Sequence, residues 1–244
     1  MSALRSNVRI VGFLFVLGTA TGVAGKIISS PILAGPDFLA QIAANQGQIV
    51  LTAFLYFAMA VSCAGIGLAL YPILKPCSEG LAIGVAGFRT IEGVTQVAAA
   101  TGLVSLLALS RDYVQTNAAA EGAVYQTMGS VIQESSNWLG NGPMLTSWCI
   151  AALMYYSVFY RFNLVPRWLS VWGLAGITLA ILVSLVSMLN LFPLSETLNT
   201  ALNMPIAIQE MVFAVWLIAR GIRPADIPRP AVISSEPLTK GAGL

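Results

Sequence analysis

Six apolar runs divide this chain, at Val8–Ile28, Ile49–Leu74, Leu81–Leu109, Met144–Phe162, Trp168–Phe192 and Leu202–Arg220. Each is long enough to span a bilayer, whose hydrocarbon core is crossed by ~20 helical residues. Inside lipid every backbone N–H and C=O needs a partner within its own segment, so runs of this length can only be helices. Composition agrees, with 57% of residues apolar and 9% charged. A soluble domain carries roughly a quarter charged residues, so the solvent for most of these side chains is the lipid bilayer. The expected fold is all-α, an integral membrane bundle of six transmembrane helices over residues 1–222. A cytoplasmic tail follows at 223–244, rich in proline (Pro224, Pro228, Pro230, Pro237) and expected to be disordered when alone. The third run is too long to stand upright, which predicts that it tilts or projects beyond the bilayer.

Orientation follows from the cations, because short cytoplasmic loops retain lysine and arginine. If the spans alternate, Arg5, Arg9, Lys75, Arg161, Arg167, Arg220, Arg223, Arg229 and Lys240 share one side. The other side holds Arg111, with Lys26 near the outer end of the first run, and it also holds Asp37, Asp112, Glu121, Glu134 and Glu196. Both termini are therefore expected in the cytoplasm. The opening residues have the outline of a signal peptide, yet Gly18-Thr-Ala-Thr-Gly22 supplies the small-residue face of a retained, packed helix.

The turns at Lys75–Gly80 and Asn163–Arg167 are short and make antiparallel neighbours of the helices they join. Two outer connections, Pro36–Asn45 and Ala118–Trp138, repeat their apolar residues at helical spacing and are expected to be short amphipathic helices on the outer face. In the second of these, Val124, Met128, Val131 and Ile132 fall on one side. Tyr155, Tyr156, Phe159 and Tyr160 at the end of the fourth run, with Trp168 and Trp172 in the fifth, are placed as an aromatic belt at one interface.

Several function classes are excluded or disfavoured. The chain has no histidine, which removes the commonest haem and metal ligand and the commonest general base. Cys63, Cys77 and Cys149 are odd in number and have no paired spacing, so neither a disulfide framework nor a metal site is expected. No phosphate-cradling loop, hydrolase elbow or zinc motif occurs, and no cofactor is expected. The cations flank the spans rather than forming one basic face, which argues against a nucleic-acid partner.

Against this background Arg89 and Glu92 in the third run and Glu210 in the sixth stand out. Charges at such depth must be paired, protonated or wetted. Arg89, Glu92 and Gln96 are spaced i, i+3 and i+7 and share one helix face. Glu210 lies at a comparable depth, beside Gln209, in a helix running the opposite way. One arginine thus faces two carboxylates, so either one glutamate carries a proton or a cation joins the group. Arg89, Glu92, Gln96, Gln209 and Glu210 are the candidate binding residues, with Lys26 and Asn203 as further partners and Gly84 and Gly87 allowing close helix approach. Three readings stay open. The group binds or translocates a small solute or ion; or Arg89–Glu92 is a helix clamp in an accessory subunit that docks a protein partner through its tail or small-residue faces; or a glutamate serves an intramembrane enzyme. The sequence does not name the ligand. A division into inverted halves, each with its acid on the third helix, is a further arrangement in keeping with a midplane site.

Three separated motifs carry a family resemblance. Arg89-Thr-Ile-Glu92, Leu164-Val-Pro-Arg-Trp-Leu-Ser-Val-Trp-Gly173 and Pro205-Ile-Ala-Ile-Gln-Glu-Met-Val-Phe-Ala-Val-Trp-Leu217 resemble, in order, the bacterial membrane proteins grouped as domain of unknown function 4386. The resemblance spans roughly residues 8–222 and omits the tail. It implies a six-helix, multi-pass protein of the bacterial inner (plasma) membrane and carries no activity with it.

Overall fold

The computed structural model describes residues 2–115, 119–188 and 196–223. These form eight α-helices: α1 (Ser2–Leu33), α2 (Phe38–Ala44), α3 (Gln46–Leu74), α4 (Glu79–Gln115), α5 (Ala119–Leu139), α6 (Leu145–Arg161), α7 (Arg167–Met188) and α8 (Glu196–Ala219). A π-helical turn, Gly140–Met144, joins α5 to α6. Among the described residues there is no strand. Five stretches are long and apolar enough to cross a membrane: Arg5–Leu33, Gln46–Leu74, Glu79–Gln115, Arg167–Val186 and Ala201–Ala219. The fourth expected span, Met144–Phe162, corresponds to α6, whose 17 residues rise only ~26 Å on their own. The expected tail beyond residue 223 and the last part of the fifth expected span lie outside the described residues.

The long helices close into a ring in chain order. α1 packs on α3, α3 on α4, α4 on α6, α6 on α7, α7 on α8, and α8 returns to α1. In such a ring α4 and α8 lie opposite each other and meet only through the centre. The turns that set this order have local causes. Gly35, with φ +95°, precedes Pro36 and ends α1. Asn163 takes φ +48° in the α6–α7 turn and its Oδ1 accepts a 2.7 Å bond from Arg167 Nε. Beyond α8 the backbone N–H of Arg223 donates to the Leu164 carbonyl at 2.9 Å, tying the segment after α8 to that same turn.

Small residues set how closely the ring packs. A Cβ on Gly93 would sit 2.7 Å from the Ala60 carbonyl oxygen, so α4 approaches the backbone of α3 at the turn next to Glu92. The expected small-residue face of α1 is used inside the chain, with Gly18 against Ser62 and Gly22 against Met59 of α3. Gly84 packs against Met154 of α6 and Gly87 has open space beside it, so the close approach at the charged turn comes from Gly93 and, on α3, Gly67.

Along the ring axis the interior has three layers. At the end holding the start of α1 and the ends of α3, α6 and α8 is a dense core that includes Val11, Ile73, Val85, Leu169 and Leu217. Tyr155, Tyr156, Phe159 and Phe213 are fully buried there, and Phe213 meets Phe15, Tyr155, Tyr156 and Phe159 at centroid distances of 5.6, 6.3, 5.5 and 5.4 Å. This corrects the interfacial placement of Tyr155, Tyr156 and Phe159: their i, i+1, i+4 spacing marks an inward face, and of the four aromatics that end the fourth run only Tyr160 is exposed. A polar layer follows. Beyond it Ile32, Phe38, Leu39, Ile42, Ile49, Leu103, Leu106 and Leu107 form a second cluster that joins α2 to α4.

Both outer connections are helical as expected. α5, however, runs antiparallel beside the second half of α4, with Ser136 opposite Gly102 and Gly122 opposite Tyr113. Its apolar residues do not share one face with Ile132: Val124, Met128 and Val131 point outward, while Gly129 is buried against α2. Where the surroundings are apolar, small residues make the helix contact and large ones face away from it.

Candidate functional site

The polar layer is built mainly on α4, α6 and α8. Arg89 and Glu92 lie one turn apart on α4, and their side chains are 3% and 5% exposed. Arg89 Nη1 donates to Glu92 Oε2 at 2.7 Å. The guanidinium also stands 5.2 Å from the centroid of the Phe15 ring, a cation–π contact with α1. Its Nε is buried without a hydrogen-bond partner among the described residues.

Glu210 reaches the same layer from the opposite side of the ring. Its Oε1 accepts from Trp148 Nε1 at 3.0 Å and from the Tyr155 hydroxyl at 3.4 Å, both on α6. Among the described residues its Oε2 takes no hydrogen bond and Glu210 makes no ion pair. Trp148 and Tyr155 are seven residues apart and therefore share one face of α6.

A cavity of about 310 Å³ joins these groups. Arg89, Glu92 and Glu210 line it together with Phe15, Trp148 and Cys63. Its upper wall is formed by Gly18, Thr19, Gly22, Val23 and Lys26 of α1 and by Met144 and Leu145 at the start of α6. Val23 and Lys26 are exposed, so the cavity reaches the outside of the bundle at that level. From Phe15 to Lys26 it follows α1 for ~16 Å. The dense aromatic core closes its other end.

Three of the five predicted binding residues, Arg89, Glu92 and Glu210, thus meet at one cavity. The other two lie elsewhere. Gln96 is buried two turns beyond Arg89 and does not border the cavity. Gln209 is a cross-link between helices: its Oε1 accepts from the Tyr156 hydroxyl at 2.6 Å and its Nε2 donates to the Leu169 carbonyl at 3.0 Å. Lys26 lines the wall although its sequence position suggested a lesser part, whereas Asn203 is not on it. Sequence reasoning missed Trp148 and Tyr155. Their signal was the seven-residue spacing of two hydrogen-bond donors inside an apolar helix.

The chemistry available is binding through charge and hydrogen bonds, with an apolar wall for the rest of a ligand. Among the described residues no group of three or more acidic or thiol side chains is placed to hold a metal. No characterised protein and no solved structure matches the chain. Over residues 10–221 it matches the family described as domain of unknown function (DUF4386), and it belongs to that family.

Proposed function

We propose that this chain binds a small solute or ion at the Arg89/Glu92/Glu210 layer of a six-span membrane protein, and holds or carries it across the bilayer. The observation that carries the reading is the 310 Å³ cavity, which brings ionisable groups from two opposite helices to one space. A purely structural pair needs no such space. The aromatic core on one side and the opening near Val23 on the other give the site one-sided access, as a solute-binding protein caught in one state requires.

The six-span count is supported by continuity. The π-helical turn Gly140–Met144 extends the 17 residues of α6 without a break, to a helical length of ~33 Å. The cytoplasmic placement of both termini is supported by Arg5, Arg9, Lys75, Arg161, Arg167 and Arg220, which flank helix ends at the dense-core end of the ring. The membrane is then the plasma membrane of a bacterium, as the family resemblance implies. Reporter fusions after residues 77 and 223 test this, and activity of a periplasm-dependent reporter at either point would overturn the topology.

A second reading has its own observation. The buried 2.7 Å Arg89–Glu92 pair is also what a registry clamp in an accessory subunit requires. One measurement separates the two. In a variant without native cysteines, Thr19→Cys is treated with a small, water-soluble thiol reagent applied to one face of sealed vesicles. Labelling from the outer face and protection from the inner face support the binding cavity. Labelling only after unfolding means a dry interior and favours the clamp.

A further inference from the structure

From the charges and lining of the cavity we infer that its ligand is an organic cation with an apolar body, seated with its positive charge on Glu210. This rests on the binding reading above and adds the chemical class of what is bound.

Charge decides first. Arg89 is committed to Glu92 at 2.7 Å, so that pair presents little net charge to the cavity. Glu210 makes no ion pair among the described residues. Trp148 and Tyr155 both donate to the same oxygen, Oε1. The carboxylate is thus held in one orientation while Oε2 keeps its lone pairs, and a ligand N–H⁺ there completes the charge of the layer. An anion at this point would stand beside two carboxylates.

The lining then decides what carries the charge. Met59, Ile66, Met144, Leu145 and the Trp148 ring line the cavity together with Glu210. Apolar and aromatic walls, with one carboxylate besides the Arg89–Glu92 pair, suit a cation on a hydrocarbon body. A bare metal ion needs several ligand atoms gathered around one point, and among the described residues no group of three or more acidic or thiol side chains is so placed. At about 310 Å³ the space also far exceeds a single ion.

The test uses the full chain in lipid nanodiscs and three probes that share one body: 2-phenylethylammonium, the neutral 2-phenylethanol and the anionic 3-phenylpropanoate. Equilibrium dialysis is expected to show the cation binding at least about tenfold tighter than either isostere. Glu210→Gln is expected to bring the cation level with the alcohol. Should that variant fail to fold, Glu210→Asp serves instead: it keeps the charge but withdraws it by one methylene, and is expected to weaken cation binding while leaving the alcohol unchanged. Tightest binding of the alcohol or the anion overturns the cation assignment and leaves the binding cavity standing, as does a cation preference insensitive to both variants. Failure of all three probes also overturns the assignment, and the fate of the cavity itself is then read from the Thr19→Cys labelling alone.

Discussion

The two halves of the ring are built from the same helices and solve opposite problems. In the half that holds the start of α1, five aromatic rings and a shell of aliphatic side chains pack closely, and the polar groups are few, as in the Tyr156–Gln209–Leu169 relay and the buried Ser170 hydroxyl. In the other half the same helices part around a cavity, two carboxylates and a guanidinium line it, and Arg89 Nε lacks a partner among the described residues. The difference lies in side-chain size at the centre. Phe15 and Phe213 fill it on one side, while on the other Gly18, Thr19 and Gly22 of α1 border the cavity. The dense half holds the ring together, and the hollow half is free to carry groups that cost stability.

The sharpest way to break this comparison is to remove the charge that makes the hollow half tolerable. Arg89→Met leaves Glu92 buried without its cation and is expected to cost about 3–5 kcal/mol, whereas Arg89→Met with Glu92→Met should recover most of it. Reversible unfolding in bicelles measures both. A double variant as unstable as the single one would mean that the pair is not self-contained. Next in size is a contrast between the halves: Phe213→Ala is expected to cost about 3–5 kcal/mol. Leu145→Ala, whose side chain already borders empty space, should cost no more than about 1–2 kcal/mol by the same unfolding measurement. Equal costs would remove the distinction between a packed and a hollow half.

Smaller effects sharpen the account of helix approach. Gly93→Ala drives a methyl against the Ala60 carbonyl and should destabilise by about 1–3 kcal/mol. Gly87→Ala, six residues away with open space around it, should stabilise by up to about 1 kcal/mol through helix propensity. The pair of thermal midpoints moving the same way would sink the α3–α4 contact as described. The smallest expected effect is at the turn between α3 and α4, where Lys75 Nζ lies 3.1 Å from Glu79 Oε1 with both side chains exposed. The hydrogen bond to Glu79 holds the Lys75 ammonium above its ordinary range. A raised value in the folded state means that any stabilisation is present below the ordinary lysine range and lost above it. At neutral pH Lys75→Ala in 0.5 M salt should leave the thermal midpoint unchanged, and a clear drop would show that this exposed pair matters more than its exposure allows.

Most of the fold was legible because lipid imposes it. Apolar runs of spanning length must be helices, and short turns make neighbours of α3 and α4 and of α6 and α7; the contacts of α4 with α6 and of α8 with α1 that close the ring were not legible. Arg89, Glu92 and Glu210 were legible for the same reason, since charge is scarce enough in such runs to be conspicuous. The donors to Glu210 were harder to see. Trp148 and Tyr155 look like ordinary membrane aromatics until α6 is known to face the ring centre, and Tyr155, Tyr156 and Phe159 were read as a belt because periodicity along one helix does not say which side is lipid. The same ambiguity misassigned the face of α5, whose exposed Val124, Met128 and Val131 would be buried in a soluble protein. Gln209 differs again: whether an amide lines a cavity or ties helices together depends on a rotation of about 100° per residue that depth alone does not set.

The i, i+3 placement of Arg89 and Glu92 on one helix also bears on how the protein is made. A chain emerges from the ribosome N-terminus first, and an unpaired arginine at the centre of a helix costs roughly 2.5–3.5 kcal/mol at the moment of membrane insertion. Because α4 carries both members of the pair, it enters the bilayer already neutralised and need not wait for any later helix. Glu210 arrives in α8, after α6 has delivered Trp148 and Tyr155 to receive it. The order of synthesis thus places Arg89 beside its carboxylate within one helix, and brings Glu210 to hydrogen-bond donors that are already in place.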